Sequence, residues 1–136
     1  MTHTTGPATR IAHVGIALSA IDMQLPFYRD VLGLESVPVN DSDGARIVAF
    51  DADGSLVELL EPADADSPIG RFITKRGPGI HHICFAVADL QAVMDKCRAM
   101  GVELVDQVPR IGAEGKRVAF LHPRSTGGVL VELTES

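Results

Sequence analysis

The four residues LVEL occur twice in this chain, at 56–59 and again at 130–133, and this repetition constrains the fold. Their surroundings repeat as well, because residues 11–30 align with residues 80–99 and place one histidine over another. Matches that keep the same order along a chain are the signature of a duplicated structural unit. The chain is therefore expected to fold as two copies of one supersecondary module.

Each copy begins with a strand that leads into a helix. Alternating apolar residues predict strands at 10–18 and 80–88, and the patterns that follow predict helices at about 20–32 and 90–100. Pro26, inside the first helix, predicts a late start or a local distortion there. Three further strands follow in each half, between segments rich in turn residues. The predicted class is α+β, with two tandem βαβββ modules that form one cupped mixed sheet.

The two modules define the organisation of the chain. Ser67 followed by Pro68 predicts the start of a connecting helix, and Gly77 followed by Pro78 predicts its end. The expected segments, within one compact domain, are a disordered tail at 1–9, a first module at 10–62, a connecting helix and loop at 63–79 and a second module at 80–134.

The charge and the cysteine content restrict the environment and the partners. A net charge of −6 argues against binding to nucleic acids or to anionic membranes, and it leaves room for a local basic pocket. The N-terminal residues lack an apolar signal segment, and no apolar run is long enough to span a membrane. Two cysteines, Cys84 and Cys97, are too few for a disulfide framework. We therefore expect a cytoplasmic protein without membrane or nucleic-acid partners.

Strand alternation selects four polar side chains that recur at equivalent positions. Each first strand carries a histidine, His13 or His82, on the same face as small residues. Each LVEL strand places a glutamate, Glu58 or Glu132, on the face opposite its valine. If the modules form one curved sheet about a pseudo-twofold axis, these four side chains converge. Two imidazoles and two carboxylates suit a divalent metal of intermediate softness, such as cobalt, manganese, nickel, iron or zinc.

A structural role for each residue is the alternative. A single strand histidine is most often a satisfied core residue, and a strand glutamate often lies on a wet edge. Recurrence of both residue types at equivalent positions of the repeat favours the metal site. His81 has no histidine counterpart in the first copy and is predicted to point to the opposite face, so it is not expected to be a ligand.

Longer segments of the sequence resemble a known family. The segments IAHVGIAL, VELLEP, DSPIGRFI, GPGIHHICFAV and KRVAFLHPRSTGGVLVEL are similar to the methylmalonyl-CoA epimerase family of the vicinal oxygen chelate superfamily, which also contains glyoxalases and dioxygenases. The resemblance runs from about residue 10 to residue 134. It implies a glyoxalase-like fold, in which the cupped sheet surrounds a metal cleft, and it favours a homodimer.

The resemblance also implies a function for the predicted site. Members of the family interconvert the C2 epimers of methylmalonyl-CoA, so we expect an isomerase that acts on methylmalonyl-CoA or a closely related short branched acyl-CoA. The expected chemistry is abstraction of the C2 proton through an enolate that the metal stabilises. His13, His82 and Glu132 match the family's metal ligands, and Glu58 stands where several relatives have glutamine. Glu132 is the expected catalytic residue.

One position departs from the family pattern. Relatives carry a second glutamate, proposed as a proton carrier, in the strand after the first turn, and the alignment places Ile47 there. An isoleucine cannot transfer a proton, so the second proton carrier is left unassigned. The CoA portion of the substrate carries phosphates, and the candidate substrate-binding residues are Lys116, Arg117, His122 and Arg124.

Three other functions compete with the epimerase hypothesis. A glyoxalase I-like lyase also uses a four-ligand set of histidine and glutamate, but the VELLEP and FLHP segments favour the epimerase. An extradiol dioxygenase needs only two histidines and one glutamate around iron, so a filled fourth position counts against it. A non-catalytic ligand-binding protein of the same fold has no need of such a ligand set.

Overall fold

The computed structural model describes residues 9–41, 44–112 and 114–136, so the predicted tail lies outside it except for residue 9. Within these ranges the chain forms eight strands and two α-helices. The strands are β1 (Arg10–Ala17), β2 (Glu35–Val37), β3 (Ala45–Ala52), β4 (Ser55–Pro62), β5 (Gly79–Val87), β6 (Arg110–Ile111), β7 (Arg117–Leu121) and β8 (Val131–Glu135), and the helices are α1 (Pro68–Arg76) and α2 (Leu90–Ala99). None of the described helices is long and apolar enough to cross a membrane.

The described residues divide into two compact units, which we name the first unit (within residues 13–82) and the second unit (within residues 83–136, together with residues 9–12). In the first unit the strand order is β2-β3-β4-β1, with β1 parallel to β4 and antiparallel pairing elsewhere. In the second unit the order is β5-β8-β7-β6, with β5 parallel to β8 and antiparallel pairing elsewhere. The same pattern in both units confirms the predicted α+β class. The predicted segment boundaries stay predictions.

The segment after β1 differs from the regular helix expected at 20–32. It forms a 3-10 turn at Ile21–Met23 and a π-helical segment at Pro26–Val31, where the Leu32 amide donates to the Phe27 carbonyl at 2.9 Å. Pro26 has no N–H to donate and its ring occupies the space of the preceding turn, so a continuous α-helix cannot pass through it. The equivalent helix of the second unit contains no proline and is the regular α2.

The connecting helix begins and ends where the sequence predicts. The Ser67 hydroxyl accepts a hydrogen bond from the Gly70 amide at 3.1 Å, and Pro68 occupies the first helical position. Gly77 follows the helix with a φ of 79°, a left-handed conformation that glycine adopts without strain. These terminal residues fix α1 between β4 and β5.

The two faces of the first unit's sheet are covered differently. On one face, Ile16 of β1 packs with Phe50 and Leu59 beneath Ile21 of the 3-10 turn. The opposite face carries His13, and at its far end apolar residues pack against α1; these residues are Ala17, Ala45, Leu60, Ile69 and, at the margin, Ile47, Phe72 and Ile73. Helix α1 therefore covers one end of the histidine face, at the end away from His13.

A capping carboxylate recurs in both units. Glu61 of β4 accepts a hydrogen bond from the Ile21 amide at 2.8 Å, and Glu135 of β8 accepts one from the Leu90 amide at 2.9 Å. Glu61 and Glu135 are equivalent positions of the repeat, three residues after the two LVEL glutamates. An anionic acceptor satisfies a backbone N–H at the start of a helical segment and interacts favourably with its positive end. The last strand of each module is thus joined to the segment that follows its first strand.

Replacement of either capping carboxylate by alanine is expected to lower the free energy of unfolding by about 1–2 kcal/mol, because a partly buried N–H loses a charged acceptor. The variants are Glu61→Ala and Glu135→Ala, and urea denaturation followed by circular dichroism measures the change. Glu35→Ala, at an exposed position of β2, is the control and should change this free energy by less than about 0.5 kcal/mol. A control as unstable as the two capping variants would contradict the assignment.

Candidate functional site

Three of the four predicted ligands lie together in the first unit. The Nε2 atoms of His13 and His82 are 3.0 Å apart, and the two rings meet edge to face with centroids separated by 5.1 Å. A carboxylate oxygen of Glu58 lies 3.5 Å from the other ring nitrogen, Nδ1, of His13. Strand pairing explains this proximity, because β1 runs parallel to β4 and places Glu58 beside Gly15, two residues after His13.

Gly15 makes room for the imidazole of His82. A β-carbon at this position would lie 2.3 Å from Cε1 of His82, well inside van der Waals contact. Among the described glycines, those with positive φ do not include Gly15, so the requirement here is space and not backbone conformation. The small residue that the sequence places after His13 therefore serves the histidine of the other repeat.

Burial removes much of the hydration of the polar groups in this cluster. His82 is 8% exposed and Glu58 is 9% exposed, and polar groups this deep need partners to offset their lost hydration. The 3.0 Å separation of the Nε2 atoms suits a hydrogen bond in which one ring donates. It also suits two neighbouring ligands of one ion, since metal–nitrogen bonds of about 2.1 Å at a right angle place the donors about 3.0 Å apart. The donor set thus fits a divalent metal.

His81 lies closer to this cluster than strand alternation predicts. Its Nδ1 atom is 3.0 Å from Nδ1 of His82, and the two ring centroids are 5.2 Å apart. The other side of the His81 ring meets Phe72 of α1, with centroids 5.0 Å apart in an edge-to-face arrangement. His81 was expected to face away from His82, and the structure instead places the two rings in contact.

The fourth predicted ligand, Glu132, belongs to the second unit. It lies on β8 between Cys84 of β5 and Phe120 of β7, its direct neighbours in the sheet. The Cys84 sulfur and a Glu132 carboxylate oxygen lie within 4.8 Å of each other. The sequence pattern does not select Cys84 as a site residue, although Cys84 is equivalent in the repeat to Gly15, which lies beside Glu58. That Glu132 joins the three residues of the first unit stays a prediction.

The four candidate substrate-binding residues fall into two pairs at opposite ends of β7. Lys116 is exposed at the start, beside Arg117, which forms an ion pair with Glu135 at 3.3 Å. His122 and Arg124 follow the end of the strand and share contacts with Glu103, to which Arg124 donates at 3.0 Å. At about 3.3 Å per residue the backbone of β7 is roughly 13 Å long, so the two pairs offer cations at separate ends of the strand.

Arg110, which no sequence pattern selects, lies near Glu132. The guanidinium of Arg110 covers the ring of Phe120 at 5.3 Å from its centroid, and its Nε forms an ion pair with Asp106 at 3.2 Å. Phe120 is the sheet neighbour of Glu132. No arginine occupies the equivalent position of the first repeat, so the repeat does not mark Arg110 as a site residue.

The two cysteines are both free and buried, as expected for a chain without a disulfide framework. Cys97 lies on α2 of the second unit, and burial raises the pKa of its thiol. A raised pKa keeps the thiol protonated and unreactive near neutral pH. Cys97 therefore has a packing role in the second unit.

Gly15→Ala is expected to lower the free energy of unfolding by about 1–3 kcal/mol, because the new methyl group overlaps the His82 ring. The clash should vanish when the ring is absent. In a His82→Ala background, the same Gly15→Ala change should therefore cost less than about 0.5 kcal/mol, and a double-mutant cycle by urea denaturation measures the difference. Equal costs in the two backgrounds would show that the strain arises elsewhere.

Comparison with known proteins places this site in a family. Residues 12–120 match the model of the Glyoxalase/Bleomycin resistance protein/Dioxygenase superfamily. Methylmalonyl-CoA epimerase of Dictyostelium discoideum is 40% identical over 93% of this chain and 78% of its own length. The chain belongs to the methylmalonyl-CoA epimerase family. Membership confirms the glyoxalase-like fold and the expected isomerase class, so the paired histidines lie in an enzyme of this family.

Other relatives of this epimerase-family chain also align over most of its length. The uncharacterized protein YqjC of Bacillus subtilis is 43% identical over 93% of this chain and 91% of its own, and the ethylmalonyl-CoA/methylmalonyl-CoA epimerase of Cereibacter sphaeroides is 38% identical over 93% and 97%. The crystal structure of methylmalonyl-CoA epimerase from Mycobacterium tuberculosis superimposes with a TM-score of 0.84 at 38% identity, covering 92% of this chain and 86% of that one. A methylmalonyl-CoA epimerase in complex with methylmalonyl-CoA and NH4+ gives the same TM-score and identity, with 94% of each chain covered.

Proposed function

We propose that this protein interconverts the C2 epimers of methylmalonyl-CoA or of a closely related short branched acyl-CoA. The observation that carries the proposal is the 3.0 Å contact between His13 and His82 beside Glu58, in a chain that aligns over nearly its whole length with epimerases. The relatives from Dictyostelium and Cereibacter are named for methylmalonyl-CoA and for ethylmalonyl-CoA together with methylmalonyl-CoA. An acyl-CoA is therefore the proposed substrate.

His13, Glu58, His82 and Glu132 are the proposed ligands of one divalent metal, with cobalt as the first candidate. The spacing of the two Nε2 atoms and the chemistry of the donor set support this assignment. When bound, a divalent ion supplies a positive charge that stabilises the negative charge developing on substrate oxygens as the C2 proton leaves. Glu58 lies beside Nδ1 of His13, a position from which a carboxylate also orients an imidazole ligand.

Epimerisation requires a proton to leave one face of C2 and a proton to return to the opposite face. Glu132 is the proposed base for one of these faces. Burial of His82 and Glu58 keeps the clustered side chains away from bulk water, which strengthens their electrostatic interactions with a bound substrate. The two histidines are thus proposed to hold the metal, and Glu132 is proposed to move a proton.

Ile47 occupies the position where the family pattern has its second glutamate. In the structure it lies on β3, two residues before Ala49, the direct sheet neighbour of Glu58. Its side chain is half-buried and packs against the apolar cluster of Ala17, Ala45, Leu60 and Ile69, as do Phe72 and Ile73 of α1. An aliphatic side chain at this place contributes packing and no proton, so the group that serves the second face of C2 is proposed to be different from that of the relatives.

The CoA phosphates are proposed to bind at one or both ends of β7. Lys116 and Arg117 lie at one end, and His122 and Arg124 lie at the other. Arg117 and Arg124 are already paired with carboxylates, so binding of a phosphate must compete with those ion pairs. Because exposed ion pairs contribute little to stability, such an exchange of partners is inexpensive.

A homodimer in the cytoplasm is the proposed state of the protein. Strand β2 is an edge strand of the first unit and β6 is an edge strand of the second unit, and exposed edges are commonly covered by another chain. Exposed apolar residues also follow one another along the segment after β1, at Met23, Phe27 and Val31. Light scattering of the purified protein measures the oligomeric state directly.

The metal assignment predicts about one divalent ion per purified chain and loss of activity on chelation. His82→Ala should weaken metal affinity by at least about 100-fold, since a ligand matters more than the outer groups whose loss costs about 10–100-fold. Competition with a coloured chelator measures the affinity. His122→Ala, which removes a histidine outside the ligand set, is the control and should bind metal as the unmodified protein does. Equal losses in both variants would contradict the ligand assignment.

The second proton carrier is testable with substrate in deuterated water. If Ile47 truly replaces the family's glutamate, exchange at C2 should be faster from one epimer than from the other, because one face lacks a strong base. Ile47→Glu should then raise epimerisation relative to exchange. Mass spectrometry measures deuterium incorporation and a stereospecific assay measures epimerisation. Efficient exchange from both epimers, with harm from Ile47→Glu, would place the second carrier elsewhere.

A further inference from the structure

Both ring nitrogens of His82 make close contacts within the first unit. Nε2 lies 3.0 Å from Nε2 of His13, and Nδ1 lies 3.0 Å from Nδ1 of His81. A neutral imidazole carries one N–H donor and one acceptor nitrogen, so the partner at one nitrogen fixes the role of the other. The contact with His81 therefore bears on which nitrogen of His82 is free to bind a metal.

We propose that His81 is a positioning residue for His82. Its Nδ1 accepts the hydrogen bond that Nδ1–H of His82 donates, which leaves the lone pair of His82 on Nε2, the nitrogen that faces His13. Ligation requires an unprotonated nitrogen, and a hydrogen bond at the second nitrogen fixes both the tautomer and the ring orientation. This inference rests on the proposed metal site, and it concerns a residue that is not itself a ligand.

Helix α1 holds His81 in place. The edge of the Phe72 ring meets the His81 ring with centroids 5.0 Å apart, and the guanidinium of Arg76 lies 5.9 Å from the centroid of Phe72. The start of α1 is fixed by the Ser67 hydroxyl and its apolar residues pack against the sheet. A rigid helix thus supports His81, which in turn supports His82.

If His81 only fills space, two substitutions should rank in one order, and if it accepts a hydrogen bond they should rank in the opposite order. In His81→Leu the bulk is retained and the acceptor is lost. In His81→Asn the amide oxygen takes the place of Nδ1, since both are attached to the γ-carbon, and much of the bulk is lost. A residue that only fills space should tolerate leucine better, whereas an acceptor for Nδ1–H should tolerate asparagine better.

The first experiment uses long-range proton–nitrogen NMR spectra of the metal-free protein, which report the tautomer of each histidine. His82 is expected to carry its proton on Nδ1 in the unmodified protein and in His81→Asn. In His81→Leu this preference should be lost, with signals of the Nε2–H form appearing. A His82 ring that keeps the Nδ1–H form in His81→Leu, or that lacks it in the unmodified protein, would overturn the proposal.

The second experiment measures cobalt affinity of the same proteins by competition, with thermal unfolding as a check on folding. His81→Leu should bind cobalt about 10–100-fold more weakly, and His81→Asn should stay within about threefold of the unmodified protein. Weak binding in His81→Asn with full affinity in His81→Leu would reduce His81 to a packing residue. If the unmodified protein binds no divalent ion, the proposed metal site fails, and the NMR measurement still decides the role of His81.

Discussion

The contact between the imidazoles of His13 and His82 is the interaction on which the rest of the site depends. It brings residues from two repeats within 3.0 Å, and it exists because Gly15 has no side chain to occupy the same space. Two imidazoles this close, one buried and one partly buried, are stable only when their nitrogens have complementary roles, by sharing a proton or by binding one ion. The surrounding structure serves to enforce that arrangement: Glu58 contacts one ring and His81 contacts the other.

Duplication explains how a small module yields such a cluster. Each copy carries a histidine on its first strand and a glutamate on its last, and the two strands lie parallel side by side within the module. Three residues beyond the glutamate, Glu61 or Glu135 accepts a backbone N–H from the segment that follows the first strand. The capping contact thereby fixes the register between the strand that holds the histidine and the strand that holds the glutamate. Because both copies contain this contact, the same strand register recurs in each module.

Strand alternation within the repeat was sufficient to predict the strands, and Ser67-Pro68 with Gly77-Pro78 predicted the connecting helix, because these are local properties of a sequence. The proximity of His13, Glu58 and His82 followed from their equivalent positions in the two copies. The repeat was insufficient where geometry is set by packing between distant segments. His81 and His82 are neighbours on β5, and the 3.0 Å approach of their Nδ1 atoms depends on how the two side chains are packed, which strand alternation does not predict. Arg110 lies on β6, and β2, the equivalent edge strand of the first unit, carries no arginine that would mark it.

Ile47 shows how one substitution is connected to the rest of the first unit. The family pattern has a proposed proton carrier there, whereas this chain has an aliphatic side chain that packs against the same apolar cluster as Phe72 and Ile73 of α1. A carboxylate at this half-buried position would weaken an apolar contact that helps to seat the helix. Phe72 is also the residue that meets the ring of His81, which contacts His82. Ile47 thus contributes to the apolar cluster beneath α1, the helix whose Phe72 contacts His81, and its side chain offers no group that could carry a proton.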